Sequence, residues 1–252
     1  PEDAKKFFVP SKQNIHNPFL MKDMDKAVER IIKARENNES IWIHGDYDVD
    51  GTCSTAALYK FLESLGCRVQ FFIPDRFQDG YGLSERSILG AKEFGATVLI
   101  TVDVGITAIN ISQDVKDAGM DLIICDHHEP GDELPTAYAI LDPIRKDCEY
   151  PFKNLAACGV VFKLIQGLSQ SLGIPERAYE YLDFVAMASA ADMVPLIGEN
   201  RTLVYYGLKL INEKTRPGLK GLIHCTNLKI GSITATNIVF AVAPIINAAG
   251  RM

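Results

Sequence analysis

Residues 41–59, IWIHGDYDVDGTCSTAALY, join a short hydrophobic run to a helical pattern through a loop rich in aspartate. The run at residues 41–43 predicts a buried strand, and apolar residues recur at helical spacing over residues 52–65. The acidic loop therefore follows the carboxyl end of a strand. In open α/β sheets, ligand sites form at that edge.

Three carboxylates of this loop are predicted to lie together. Asp46, Asp48 and Asp50 alternate along the chain, so an extended backbone would point their side chains the same way. Carboxylates held close together raise one another's pKa unless a cation neutralises them, which favours a metal site. Gly51 permits a tight turn, and Thr52 is the predicted N-cap of the helix. A solvated acidic turn is the alternative, and one short motif leaves both open.

Length and composition are those of an ordinary globular protein. The 252 residues are 47% hydrophobic and 23% charged, enough to bury one substantial core or two small ones. Since there is no apolar run of the roughly 20 residues that span a bilayer, we expect no membrane partner. We also expect a cytoplasmic protein and a monomer. Six scattered cysteines predict free thiols in a reducing compartment. The net charge of −6 argues against a broad basic surface for nucleic acid.

Helical and strand patterns alternate through the first part of the chain. Four further strands are predicted, at residues 68–73, 98–102, 122–125 and 137–141. This alternation predicts an α/β fold, with a parallel sheet and helices on both faces, followed by a mainly helical portion. We expect a piece of a longer protein, divided into an N-terminal segment and helix (1–39), an α/β core (40–150) and a helical part (151–252).

Two more strand ends carry the same kinds of side chain. Asp103 follows the third strand in TVDVG, and Asp126, His127 and His128 follow the fourth in CDHHE. The ends of parallel strands share one edge of a sheet, so we expect these residues to converge with the acidic loop. Carboxylates and imidazoles together suit Mn²⁺, Mg²⁺ or Zn²⁺. They are more numerous than one ion requires, whereas two ions about 3.5 to 4 Å apart would use them.

Some of these candidates have plainer alternatives. His127 and His128 are adjacent, and neighbours on a strand point to opposite faces, so both can reach the site only if the strand has ended. Asp192, in ASAADMVPL, is a fourth acidic candidate, and a simple helix terminus is its alternative.

Four motifs taken together resemble a known family. HGDYDVDGT, the aspartate of TVDVG, the DHH triplet at residues 126–128 and AADMVPL resemble the motifs of the DHH phosphoesterase superfamily. FLMKDMDKAVERI, PDRFQDGYGLS, GVVFKL and INAAGRM are similar to segments of its bacterial single-strand DNA exonucleases. The resemblance spans nearly the whole chain. One departure is Ile245, which stands where the family's last motif usually has arginine.

The resemblance implies hydrolysis of phosphodiesters by two Mn²⁺ or Mg²⁺ ions. One ion would be held by His44, Asp48 and Asp103, and the other by Asp50, Asp103, His127 and Asp192. The implied catalytic residues are Asp50, the bridging Asp103 and His128, which would face the scissile phosphate. The residues expected to orient these ligands are Asp46 and Asp126. The expected substrate contacts are His128, Arg76, Tyr81, Asn247 and Arg251.

The implied activity is degradation of single-stranded DNA from its 5′ end in repair and recombination. Helicase and single-strand-binding protein are the expected protein partners, and the family's later substrate-binding domains are absent from this chain. One alternative is a DHH enzyme for short oligonucleotides, cyclic dinucleotides or pyrophosphate, which the acidic charge balance favours. Another is a replication or scaffold relative that has lost catalysis, although every candidate ligand is present.

Overall fold

A single parallel sheet organises the computed structural model, which describes residues 8–250. Its strands are β1 (Ser40–His44), β2 (Arg68–Phe72), β3 (Ala96–Val102), β4 (Asp121–Cys125) and β5 (Ala139–Leu141). They pair in the order β2-β1-β3-β4-β5. The connections run in opposite directions from β1 and β3, so the crevice at the carboxyl ends of these two strands is the topological switch point.

Helices surround the sheet and continue after it. Around the sheet lie α1 (Met24–Glu36), α2 (Val49–Ser64), α3 (Glu85–Phe94) and α4 (Ile109–Asp117). The later helices are α5 (Ala157–Ser171), α6 (Leu182–Ala191), α7 (Gly198–Glu213), α8 (Pro217–His224), α9 (Ala235–Asn237) and α10 (Ala243–Ala249). Short 3-10 helices occur at Lys12–Asn14, Pro18–Leu20 and Pro175–Tyr181, and a π-helix at Ile238–Val242.

Successive residues of a strand point to opposite faces of the sheet, so their side chains belong to two separate cores. Ile43 and Ile100 belong to a large core shared with helices α1, α2, α5 and α6. Trp42 and Leu99 point to the other face, where they pack in a smaller core with helices α3 and α4. The predicted α/β fold with helices on both faces and a helical portion after it is confirmed. The division of the chain at residue 150 stays a prediction.

The start of α2 differs from the prediction. Asp48 is the N-cap instead of Thr52, and its carboxylate accepts a hydrogen bond from the Gly51 N–H at 2.9 Å. Aspartate is at least as good an N-cap as threonine, so the helix begins at Val49. The prediction of an extended loop through Asp50 was therefore wrong, because Asp50 lies in the first helical turn.

Two features of the helical portion were not expected. Helix α8 was missed, although Pro217 stands at its first position, where proline is favoured. The helical stretch before Ala249 is not one continuous α-helix, because the π-helix Ile238–Val242 interrupts it and leads into Pro244. Proline lacks an N–H and clashes with the carbonyl four residues earlier, so an ordinary α-turn is disfavoured there.

A buried ion pair ties the N-terminal segment to the helical portion. The ammonium of Lys163 lies 3.0 Å from the carboxylate of Glu199 and donates to the His16 carbonyl at 2.6 Å. Glu199 also accepts from the Tyr150 hydroxyl at 2.7 Å. Both charges are therefore paired and hydrogen-bonded away from water.

Among residues 8–250, none of the helices combines the length and apolar character needed to cross a bilayer.

Candidate metal centre

Strand β1 ends at His44, a fully buried imidazole with one nitrogen unsatisfied. Its Nε2 lies 3.1 Å from the carbonyl oxygen of Gly82, and only a protonated nitrogen can donate to a carbonyl. Its Nδ1 is buried and has no hydrogen-bond partner among the described residues. Burial lowers the pKa of His44 to about 4, so the ring is neutral at pH 7. A neutral imidazole whose other nitrogen is held by a carbonyl is the form in which histidine binds metals.

Two aspartates after β1 are buried, and burial disfavours their ionised forms. Asp46 is 5% exposed, its Oδ1 has no partner among the described residues, and burial raises its pKa to about 6. The oxygens of Asp50 accept from the N–H groups of Ala157 and Cys158, both at 2.8 Å, in the first turn of α5. Burial, followed by the charge of Asp192, raises the pKa of Asp50 to about 7. Nearby positive charge would stabilise both carboxylates.

Asp103 follows β3 in an uncommon backbone conformation. Its φ of 65° lies in the left-handed region, which aspartate tolerates better than most residues. Its N–H donates to the Cys125 carbonyl at 3.0 Å, so the hydrogen bonding between β3 and β4 continues through this residue. Burial, with the charges of Asp50 and Asp48, raises the pKa of Asp103 well above its ordinary range.

His127 brings three carboxylates to one imidazole. Strand β4 ends at Cys125, so the condition that the strand must end before both histidines is met. The Nε2 of His127 lies 3.3 Å from Asp103 Oδ1, 3.8 Å from Asp50 Oδ2 and 3.9 Å from Asp192 Oδ2. Asp192 reaches this position as the C-cap of α6. Burial lowers the pKa of His127, which favours the neutral ring that can bind a metal.

Asp126 holds the backbone of both histidines and the ring of His128. Its Oδ1 accepts from the N–H groups of His127 at 2.8 Å and His128 at 3.2 Å, and from His128 Nδ1 at 2.7 Å. Its Oδ2 accepts from the Ile106 N–H at 2.9 Å. Burial opposes ionisation, but the hydrogen bonds, led by that of His128, lower the pKa of Asp126 below its ordinary value. The same bond raises the pKa of His128.

Ligand atoms of these residues form three groups in which all atoms lie within 4.8 Å of one another. The groups are Asp46, Asp48 and Asp103; Asp50, His127 and Asp192; and Asp103, His127 and His128. Asp103 and His127 each belong to two groups, so the three groups form one continuous cluster. Among the described residues, His44 joins none of them, whereas Asp46, predicted only to orient ligands, joins the first.

Three of the predicted substrate contacts lie beside the acidic loop or beside His128. The Arg76 guanidinium lies 5.8 Å from the centroid of the Tyr47 ring, and both line a cavity of about 390 Å³ beside the acidic loop. Tyr81 packs edge-to-face against His128, with ring centroids 6.4 Å apart. Asn247 lies against the acidic loop and accepts a hydrogen bond from its backbone. Arg251 lies outside the described residues. These contacts, like the metal ligands, stay predictions.

One acid at this edge was missed. Asp142 directly follows β5, is fully buried, and has an Oδ2 without a partner among the described residues. Burial raises the pKa of Asp142 to about 7. Its position after a strand was the signal that could have found it, since the same signal selected Asp103 and Asp126.

Comparison with known proteins identifies the family to which this chain belongs. A model of the DHH family, N-terminal domain, matches residues 40–189. The chain belongs to the DHH family. Its DHH triplet is Asp126, His127 and His128, the residues that lie at the end of β4.

Curated relatives of this DHH chain include bacterial exonucleases. It is 42% identical, over all of its length and 31% of the relative's, to the single-stranded-DNA-specific exonuclease RecJ of Bacillus subtilis (strain 168). It is 39% identical to RecJ of Escherichia coli (strain K12), over 91% of this chain and 42% of that protein. The chain thus spans less than half the length of these relatives.

Solved structures agree with this likeness. The crystal structure of exonuclease RecJ bound to manganese matches with a TM-score of 0.83 and 34% identity, over 92% of this chain and 58% of that one. RecJ from Thermus thermophilus in complex with Mn²⁺ matches with a TM-score of 0.78 and 33% identity, over 92% of this chain and 33% of that one.

Proposed function

We propose that this chain is the catalytic part of a metal-dependent phosphodiesterase that degrades single-stranded DNA from the 5′ end. The observation that carries the proposal is the ligand cluster at the switch point, in which Asp103 is shared between groups. Similarity to RecJ, whose structures include Mn²⁺ and Mg²⁺ complexes, supports the substrate and the metals.

The residues present fit two Mn²⁺ or Mg²⁺ ions. Buried carboxylates supply hard oxygen ligands, and imidazoles supply nitrogens that Mn²⁺ accepts. The unsatisfied Nδ1 of His44 and Oδ1 of Asp46 are buried atoms that lack a partner among the described residues. The ions, when bound, lower the pKa of water and stabilise charge on the phosphate oxygens.

We assign the ligands to two sets that share Asp103. One set is Asp48, joined by Asp46, and the other is Asp50, His127 and Asp192; Asp103 groups with the first set and lies 3.3 Å from His127 of the second. His44 belongs to the first set by family resemblance, through its unsatisfied Nδ1. Asp126 acts on both histidines because its Oδ1 accepts three hydrogen bonds from them.

His128 is assigned to the scissile phosphate. Its Nδ1 is committed to Asp126 at 2.7 Å, so Nε2 is the nitrogen left to donate to a phosphate oxygen. The raised pKa of His128 favours the protonated ring, which attracts an anion. Arg76 and Tyr81 are assigned to the approaching strand, where a guanidinium can contact phosphate and a phenol ring can stack on a base.

A gel time course tests this function. A 3′-labelled, 5′-phosphorylated single strand is incubated with Mn²⁺ and the wild-type, Asp103→Ala or Asp114→Ala protein. Asp114 is an exposed aspartate on α4 and serves as the matched control. We expect progressive shortening from the 5′ end by the wild type and Asp114→Ala only. Shortening by Asp103→Ala at the wild-type rate would contradict the shared-ligand mechanism.

A second candidate substrate class is favoured by the acidic charge balance of −6. Short oligonucleotides, cyclic dinucleotides or pyrophosphate need no extended basic surface, whereas a long strand benefits from one. The same samples are therefore tested on a dinucleotide. Cleavage of the dinucleotide without shortening of the long strand would select this second class.

The cellular setting of the protein rests on likeness to RecJ alone. The proposed roles are DNA repair and recombination in the cytoplasm, as a monomer, with helicase and single-strand-binding protein as partners. Pull-down of helicase and single-strand-binding protein with the whole protein checks the two proposed partners.

A further inference from the structure

Helix α10 contacts the acidic loop at two points. The side-chain Oδ1 of Asn247 accepts a hydrogen bond from the Val49 N–H at 3.1 Å, across 198 positions of sequence. One turn later, the backbone of Gly250 approaches the loop so closely that an added Cβ would lie 2.5 Å from the Tyr47 carbonyl oxygen. The end of the described chain therefore packs directly on the segment that presents Asp48 and Asp50.

The Val49 N–H needs an acceptor from outside its own helix. Val49 is the first residue of α2, and the first N–H groups of a helix have no partner within it. Asp48 satisfies only the Gly51 N–H. Without Asn247, the Val49 N–H would have to find another acceptor, and the peptide that carries it would lose this restraint.

Val49 lies between two candidate metal ligands, so the hydrogen bond to its N–H affects both of them. Val49 separates Asp48 from Asp50, and these two aspartates belong to different groups of candidate ligands. The spacing between the two groups therefore depends on the orientation of the peptides that flank Val49. A contact that fixes this orientation acts on both groups at once.

We propose that Asn247 is a positioning residue that holds the two sets of metal ligands in register through the Val49 peptide. This role differs from the substrate contact predicted from sequence, and it rests on the proposed metal-dependent function. Asn247 bonds to the Val49 backbone, which lies between two candidate ligands, so its effect appears in metal binding even without substrate. Residues that orient metal ligands typically change metal affinity by about 10- to 100-fold when removed.

Calorimetric titration of metal-free protein with Mn²⁺ tests the proposal without any DNA. Asn247→Ala should bind Mn²⁺ about 10-fold more weakly than wild type. Asn247→Asp keeps an acceptor oxygen for the Val49 N–H, so it should bind at least as tightly as wild type. In Gly250→Ala, the added Cβ would press on the same loop, so this variant should also bind Mn²⁺ more weakly. It provides a second test if Asn247→Ala does not fold.

Asn212→Ala is the matched control for loss of a tertiary amide contact. Asn212 also joins distant residues, because it accepts from the Ile233 N–H at 2.7 Å and donates to the Ile233 carbonyl at 2.9 Å. It lies outside the ligand cluster. We expect Asn212→Ala to lower the urea midpoint as Asn247→Ala does, with Mn²⁺ affinity unchanged.

The possible failures are distinguishable. Wild-type affinity in Asn247→Ala, or equal losses in Asn247→Ala and Asn212→Ala, would overturn the positioning role and leave the proposed function standing. Absence of Mn²⁺ binding by the wild type would overturn both.

Discussion

Replacing Asp46 by asparagine should stabilise the metal-free protein at neutral pH. The Asp46 carboxylate is 5% exposed, and burial raises its pKa from 3.8 to about 6. A raised pKa means that the folded state disfavours the charged form. The folded state therefore loses stability as the pH rises through this range, and the loss is absent below the ordinary pKa of 3.8.

The size of the effect follows from the pKa. One unit of pKa corresponds to about 1.4 kcal/mol, so ionisation of Asp46 costs up to about 3 kcal/mol above pH 6. Asparagine has nearly the same shape and carries no charge. Asp46→Asn should therefore unfold with a free energy up to about 3 kcal/mol larger than wild type at pH 8, and with little difference near pH 4.

Urea unfolding in EDTA across pH 4 to 8, followed by circular dichroism, measures this difference. Saturating Mn²⁺ should reverse the order of the two proteins, because a ligand that binds the folded state stabilises it and wild type retains the full set of carboxylates. If Asp46→Asn is less stable than wild type at pH 8 in EDTA, or if the difference does not grow with pH, then burial does not raise the pKa of Asp46.

Three further changes test separate contacts. Asp126→Asn should lower the pKa of His128, because the hydrogen bond that His128 Nδ1 donates to Asp126 is the main cause of its elevation; a histidine titration by NMR that leaves this pKa unchanged contradicts the assignment. Gly51→Ala would place a Cβ 2.5 Å from a backbone carbonyl oxygen of the acidic loop. We expect the free energy of unfolding in urea to fall by about 1–3 kcal/mol. A free energy equal to that of wild type would contradict the close approach. Lys163→Ala removes the partner of the buried Glu199, so the free energy of unfolding should fall by about 3–5 kcal/mol. A fall of less than about 1 kcal/mol would show that the pair is solvated.

Much of the site could be predicted because a parallel sheet gathers its strand ends. The positions of Asp103 and His127 within two residues of the ends of apolar strands were enough to bring them together with the acidic loop. The local course of the loop was harder to predict. Asp48 and Thr52 are both good N-caps, and the choice between them depends on which side chain reaches a helical N–H.

The contacts that sequence could not provide are long-range. The hydrogen bond between Asn247 and Val49 joins residues 198 positions apart, and neither residue has a local pattern that indicates the other. His44 is similar, since its orientation depends on the carbonyl of Gly82 in a distant loop. Tertiary packing determines such pairs, so motif spacing alone assigns the residues to a site without giving their partners.

Anomalous diffraction at the manganese edge, from crystals soaked in Mn²⁺, would locate the metal ions themselves. We expect two peaks about 3.5 to 4 Å apart at the carboxyl edge of the sheet, with Asp103 between them. A single peak, or two peaks without Asp103 as a shared ligand, would contradict this expectation.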